Sequence, residues 1–296
     1  MFTAKDDLSM VRKTIYRRLA WALLLCLLTG CGSGKDSTAS SSPESALAPE
    51  EPAFTVDLLS TGKSDCAVIR MDGLVIVSDT ADEDDYKDID ALLKHYGITR
   101  IDYMILSHYD KDHIGSAAAL LRNYEVGAVL RPDYVEESGE YFALVKAEKD
   151  TAVDVVILKE NYVIRTSNGS IVADPPDQDY GDDNNNSIVT TITYMGRRLL
   201  FLGDARKKRV EEFLKAAEES YDFVKLPHHG DGNKALYSLL RKTSPVWAAA
   251  TISAAETIDP ELQELLDKLN ITLYCTVNGP VRIVWDAGAL AAEQYA

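Results

Sequence analysis

Ser107-His108-Tyr109-Asp110-Lys111-Asp112-His113 places two imidazoles and two carboxylates within six residues, in the order His-x-Asp-x-Asp-His. The apolar run at residues 101–106 just before it reads as a buried strand, so the cluster falls on the turn that leaves a sheet. Imidazole and carboxylate together hold first-row divalent cations. The competing reading is a polar loop with Asp110 and Asp112 solvated. Histidine usage favours the metal. The chain has five His, two of the other three are adjacent at His228-His229, and four of the five therefore lie in two tight motifs.

Working outward, strand and helix patterns alternate. Residues 56–59, 67–71 and 74–77 read as strands. Residues 86–96 form a helix with Ile89, Leu92, Leu93 and Tyr96 on one face and Gly97 as its stop. After the strand at 101–106 come a helix at 114–123, a strand at 128–130, a helix at 141–149 and a strand at 153–158. Residues 188–194 and 198–202 read as a hairpin around Met195-Gly196. A helix at 207–217, a strand at 223–226, a helix at 234–242, a strand at 246–252, a helix at 260–269 and two closing strands complete the pattern. Such density argues α/β, with helices covering sheet faces. Residues 174–186 carry five Asp, three Asn and two Pro. They read as a polar loop, because their spacing does not match an EF-hand.

Residues 1–30 carry basic side chains at Arg12, Lys13, Arg17 and Arg18, then a short apolar core at 19–28, then Thr29-Gly30-Cys31. This reads as a secretory signal. Its ending resembles a bacterial lipobox, in which Cys31 is lipidated and becomes the mature N-terminus. A plain signal peptide or an N-terminal anchor are the alternatives. Residues 31–52 are rich in Ser, Ala, Pro, Glu and Gly and read as a flexible tether. The expectation is a folded domain at 53–296, outside the cell and held at the membrane surface through Cys31. The formal net charge is −16, and removing residues 1–30 takes it to about −19. Such a surface repels polyanions at long range and argues against strong grip on duplex nucleic acid. Cys66 and Cys275 remain in the domain, read as two buried thiols, with a disulfide as the alternative.

The remaining chemistry stands at strand ends. Asp79 follows the strand at 74–77, Asp204 ends Phe201-Leu202-Gly203-Asp204, and Lys225-Leu226-Pro227-His228-His229-Gly230 ends another. Ligands at several strand ends can converge on one cleft. In order and type these residues resemble the metallo-β-lactamase superfamily, which implies a four-layer αββα sandwich. Asp110 in place of the more usual His, the Gly203-Asp204 pair and His-His-Gly resemble the metal-hydrolase domain of ComEC-type competence proteins. So do Asn184-Asn185-Asn186-Ser187, Thr61-Gly62-Lys63-Ser64-Asp65 and Tyr274-Cys275-Thr276 through Gly279. The resemblance covers about residues 54–286. Lys63, Ser64, Asp231 and Asp259 depart from that branch's Gln, Gly, Ser and His.

The resemblance implies a dinuclear centre of zinc or manganese. His108 and Asp110 would hold one ion, Asp112, His113 and His228 the second, and Asp204 would bridge, with a hydroxide between the metals as nucleophile. Asp79 would be structural and Asp112 would also take part in catalysis. His229 would assist the leaving group or oxyanion, unless it orients a ligand or is one itself. Asn184 and Ser187 would line the site or cap a turn. The expected activity is hydrolysis of phosphodiesters, nuclease-like or small. An ester or lactone hydrolase of the same fold and a non-catalytic binding lipoprotein are the alternatives.

Overall fold

The computed structural model describes residues 52–295. The expected signal segment, its Cys31 and almost all of the tether lie outside the described residues. Among those described, no helix is long and apolar enough to cross a membrane.

Two mixed sheets make up the centre. The first contains β1 (Phe54–Leu58), β2 (Ala67–Met71), β3 (Leu74–Ser78), β4 (Arg100–Ile105), β5 (Glu125–Pro132), β6 (Asp154–Leu158), β14 (Val281–Asp286) and β15 (Ala289–Gln294), in the order β15-β14-β1-β2-β3-β4-β5-β6. The second contains β7 (Tyr162–Arg165), β8 (Gly169–Asp174), β9 (Val189–Tyr194), β10 (Arg197–Phe201), β11 (Phe223–Lys225), β12 (Trp247–Ala250) and β13 (Thr272–Cys275), in the order β13-β12-β11-β10-β9-β8-β7. The helices are α1 (Tyr86–His95), α2 (Lys111–Ile114), α3 (Ala117–Asn123), α4 (Gly139–Thr151), α5 (Lys207–Ala216), α6 (Lys234–Thr243) and α7 (Pro260–Leu269).

Side-chain alternation makes the layers. On β10, Leu199 and Phe201 enter the core between the sheets with Phe54, Ile69 and Phe223, while Leu200 faces the other way to meet Phe213 and Leu236 of the helices. On β2, Ile69 faces the inter-sheet core and Val68 packs with Ile89 and Leu120. A period of two therefore assigns each strand two apolar partners. Three apolar interfaces separate four layers, which is the αββα sandwich the resemblance implied.

Each sheet becomes parallel in one half, through β3-β4-β5-β6 in the first and β10-β11-β12-β13 in the second. The C-terminal ends of β3, β4, β10, β11 and β12 deliver the loops that carry the site, as the ends of parallel strands do in α/β proteins.

Two differences from the sequence reading have local causes. The helix expected at 114–123 begins earlier and breaks after Ile114, so Asp112 and His113 stand on a helical turn. Gly115 lies so close to the backbone of Asp82 and Glu83 that a Cβ there would come within 2.4 Å of the Glu83 nitrogen, and Ser116 Oγ donates to the Asp82 carbonyl at 2.6 Å. The β7-β8 hairpin went unanticipated because its strands are short and end in polar residues, yet Ile164 and Ile171 are buried in the inter-sheet core. Three strands, not two, follow α7. Cys66 is buried, Cys275 half-buried, and both are free thiols.

Candidate metal centre

Asp79 follows β3 with a left-handed φ of 55°, a conformation that Asp tolerates better than most residues. Its carboxylate accepts from the Ser107 amide at 2.7 Å and Ser107 Oγ at 2.8 Å, and lies 2.9 Å from His113 Nδ1. It thereby ties the end of β3 to the end of β4 and orients one imidazole. Ser107 Oγ also lies 3.0 Å from His108 Nδ1, and His229 Nδ1 lies 3.1 Å from both the carbonyl and Oγ1 of Thr251 after β12. All three rings are thus held by Nδ1, so Nδ1 carries the proton and the Nε2 lone pair is left free.

Those three Nε2 atoms are buried and have no hydrogen-bond partner among the described residues. A buried polar atom without a partner is costly. Each faces a carboxylate instead. His108 Nε2 lies 3.4 Å from Asp110 Oδ2, and His113 Nε2 lies 3.3 Å from Asp204 Oδ1. His229 Nε2 lies 3.3 Å from Asp204 Oδ2 and 3.5 Å from Asp112 Oδ2. Donor atoms of His108, His113 and Asp204 lie within 4.8 Å of one another, as do those of Asp112, His113 and His229. Asp204 turns one oxygen to His113 and the other to His229. The nitrogen and oxygen donors suit a divalent cation, and the free lone pairs fit an ion.

The electrostatics point the same way. Burial opposes charge on His113, yet Asp204, Asp79 and Asp65 raise its pKa well above the ordinary value. Burial opposes charge on His229 too, but the facing Asp112 and Asp204 carboxylates lift it to about 9. Against burial, the His113 charge holds the Asp204 carboxyl well below the usual range. The facing His229 imidazole and the His113 charge overcome burial to bring Asp112 down to about 2. The field calls for positive charge at the imidazoles, from protons or from cations that take the same atoms.

The structure brings together His108, Asp110, Asp112, His113 and Asp204. It corrects the placement of the last pair. His228, expected among the ligands, turns its ring outward, with Nδ1 3.1 Å from Asp231 Oδ2 and Nε2 accepting from Arg206 Nη2 at 3.1 Å. His229, for which a ligand role stood open beside one at the leaving group, enters the cluster. Both residues have left-handed φ, 46° and 57°, which twists the chain between them so that neighbouring side chains diverge. Gly230 follows at φ 90°.

Asn184, with its amide turned to satisfy its neighbours, donates to Asp110 Oδ2 at 3.2 Å and accepts from Arg206 Nη2 at 3.3 Å. Ser187 does not line an open surface. It is fully buried, and its Oγ accepts from the Asp204 amide at 3.3 Å. Arg209, buried on α5, donates through Nε to the Ser187 carbonyl at 3.0 Å and pairs with Asp174 and Glu212. The acidic loop before β9 is fastened in this way, and Asp179 and Asp182 accept from Asn186 and Asn185.

Three neighbours of the cluster were given no role of their own by the sequence reading. Asp65, Lys225 and Thr251 form a buried chain behind the cluster, in which Asp65 accepts hydrogen bonds from both Lys225 Nζ and Thr251 Oγ1. Asp65 also lies 3.6 Å from His229 Nδ1. The signal for Lys225 was available, as a charged side chain ends the apolar strand Phe223-Val224-Lys225. Two departures from the branch pattern also find roles. Asp231 holds His228, and Asp259 caps α7 by accepting from the Leu262 amide and from Tyr237 Oη, both at 2.9 Å.

A four-layer αββα sandwich with a buried His/Asp cluster at the strand ends defines a metal-dependent hydrolase fold. The chain belongs to the metallo-β-lactamase superfamily, whose family model matches residues 59–246. It is 26% identical over 162 residues to ComE operon protein 3 of Bacillus subtilis (strain 168), a stretch covering 54% of this chain and 21% of that protein. It is 24% identical over 203 residues to Recombination protein 2 of Haemophilus influenzae, covering 66% and 24%. The chain thus spans less than a quarter of the length of these relatives. Among solved structures, the CmlA β-hydroxylase aligns with a TM-score of 0.55 and 17% identity over 80% of this chain and 55% of its own. The metallo-β-lactamase fold protein YhfI of Bacillus subtilis aligns with a TM-score of 0.53 and 10% identity, over 75% and 96%. At these identities the structures speak for the fold alone.

Proposed function

We propose that this chain is a lipid-anchored, extracytoplasmic hydrolase that uses two divalent cations, zinc or manganese, to cleave phosphodiester bonds. The observation that carries the metal centre is the set of three buried, unpartnered imidazole nitrogens meeting Asp110, Asp112 and Asp204. His108 and Asp110 would hold one ion, Asp112, His113 and His229 the other, with Asp204 serving both. Bound there, such ions lower the pKa of water toward neutrality and polarise the scissile group. The chain's own residues do the rest. Asp79, Ser107 and Thr251 fix the imidazole tautomers, Asn184 orients Asp110, and Ser187 steadies the Asp204 backbone.

The phosphodiester reading is supported by the Asp at position 110 and by relatives whose names refer to a competence operon and to recombination. The net charge of −16 disfavours duplex nucleic acid and favours a short or small phosphodiester. The lipid anchor rests on Cys31 and its apolar approach.

The test is to load the full chain with Zn²⁺ or Mn²⁺, measure bound metal, and compare bis-p-nitrophenyl phosphate with ester and lactone panels. Phosphodiester turnover that disappears in Asp112→Ala supports the reading. Preferential ester or lactone turnover replaces the substrate class, and failure to bind metal returns the chain to a binding lipoprotein. Release of the protein from membranes by Cys31→Ala tests the anchor.

A further inference from the structure

Arg206 lies between Asp204 and α5, and its side chain is 48% exposed. Its guanidinium is held at two points, and both use Nη2. One contact is the 3.1 Å donation to His228 Nε2. The other is the 3.3 Å donation to the Asn184 amide oxygen. Each of these neighbours touches the cluster in turn. Asn184 donates to Asp110, and the His228 amide donates to Asp204 Oδ1 at 3.2 Å. Arg206 therefore stands at the rim of the centre, linked through Asn184 to Asp110 and through His228 to Asp204.

The His228 tautomer follows from this contact. Arginine only donates, so His228 Nε2 accepts and Nδ1 carries the proton toward Asp231. The imidazole that the sequence offered as a ligand is thus used to hold an arginine. Nη1 and Nε of Arg206 make no hydrogen bond among the described residues, and Nη1 has only Asp182 at 4.0 Å. Those donors remain available. Lys225, by contrast, is sealed beneath the centre on Asp65 with 3% of its side chain exposed, and the exposed Lys111 is paired with Asp82 at 3.1 Å. An exposed guanidinium with unused donors is the chemistry that recognises a phosphate oxygen.

We propose that Arg206 is the anion-recognition residue of this site, binding a non-bridging oxygen of the substrate and selecting monoanionic phosphodiesters over neutral esters. The substrate class rests on the function proposed above, whereas phosphate recognition by Arg206 stands apart from it. The alternative is that Arg206 only braces His228, in which case its loss lowers turnover of charged and neutral substrates alike.

The experiment uses the metal-loaded full chain as wild type, Arg206→Gln and Arg206→Lys. Inorganic phosphate binding is measured by titration calorimetry, and kcat/KM is measured on bis-p-nitrophenyl phosphate and p-nitrophenyl acetate. Arg206→Gln is expected to weaken phosphate binding about 10- to 100-fold, the span of a hydrogen bond between charged groups. The ratio of phosphodiester to ester kcat/KM is expected to fall by a similar factor, and Arg206→Lys to recover part of both. A phosphate Kd within twofold of wild type in Arg206→Gln, no phosphate binding by wild type, or an equal fall on both substrates overturns the proposal. If phosphate binding depends on Arg206 while wild type cleaves no phosphodiester, anion recognition stands and the phosphodiesterase reading falls. If wild type cleaves phosphodiesters and Arg206→Gln changes neither readout, the reverse holds.

Discussion

The segment at residues 108–113 and the pair His228-His229 both follow strands of the parallel halves, and each carries two imidazoles. In the first, the two histidines are five positions apart, with one ring on the loop and the other on α2. Their centroids lie 4.1 Å apart and both Nε2 atoms enter the cluster. In the second, the histidines are neighbours, their centroids lie 6.0 Å apart, and only His229 enters. A strand-to-helix junction folds separated residues onto one point, whereas consecutive left-handed residues send adjacent side chains apart. Sequence proximity was thus a poor guide to which donors meet.

The sharpest way to break this comparison is to exchange the fates of the neighbours. We predict that His229→Ala loses bound metal and lowers kcat/KM about a thousandfold, on the several-kcal/mol scale of a catalytic ion. His228→Ala should keep its metal and lose about tenfold. Metal analysis beside kinetics decides it, and equal metal loss in the two variants would falsify the distinction.

Next in size is the support beneath His229. Lys225→Met leaves Asp65 buried without its cation, and should destabilise the fold by about 3–5 kcal/mol. The double variant Lys225→Met with Asp65→Asn should recover much of that in urea denaturation. No recovery would mean that the pair is not the cause.

The support beneath the first motif is steric. Gly203 has φ 52°, and a Cβ there would come within 2.7 Å of Ser107 Cβ. Gly203→Ala is predicted to cost about 1–3 kcal/mol and to weaken metal binding, because Ser107 orients both His108 and His113. A thermal unfolding midpoint unchanged from wild type would contradict this.

The smallest effect concerns protons. In chelator-treated protein, the His229 pKa of about 9 stands above its ordinary 6.5. Its stabilisation is full below about pH 6.5 and is lost as pH rises through about 9. The Asp112 pKa of about 2 lies below 3.8, so its contribution is present above about pH 3.8 and is lost as pH falls through about 2. Calorimetry should show the melting temperature falling between pH 6.5 and 9, and less steeply in His229→Gln. An identical slope in both proteins would assign that limb to other groups.

Much of the fold was readable because alternation and helical spacing report which side of an element is apolar, and Ile69, Leu199 and Phe201 behave accordingly. Asp79, Asp204 and the 108–113 cluster were readable because they end apolar strands. Asp65 and Lys225 were not singled out, since they meet across 160 residues and no local pattern encodes that pairing. Which of His228 and His229 faces the cluster was not readable, because the sign of φ at two adjacent non-glycine residues has no spacing signature.

By itself the sequence determined the layered α/β pattern and the inventory of donors at strand ends, both of which follow from short-range periodicity. Only the tertiary structure decided which donors enter the centre, which imidazole holds Arg206 instead, and what supports lie beneath. Those outcomes depend on how the ends of two separate sheets converge, and on backbone twists set by packing across the whole chain.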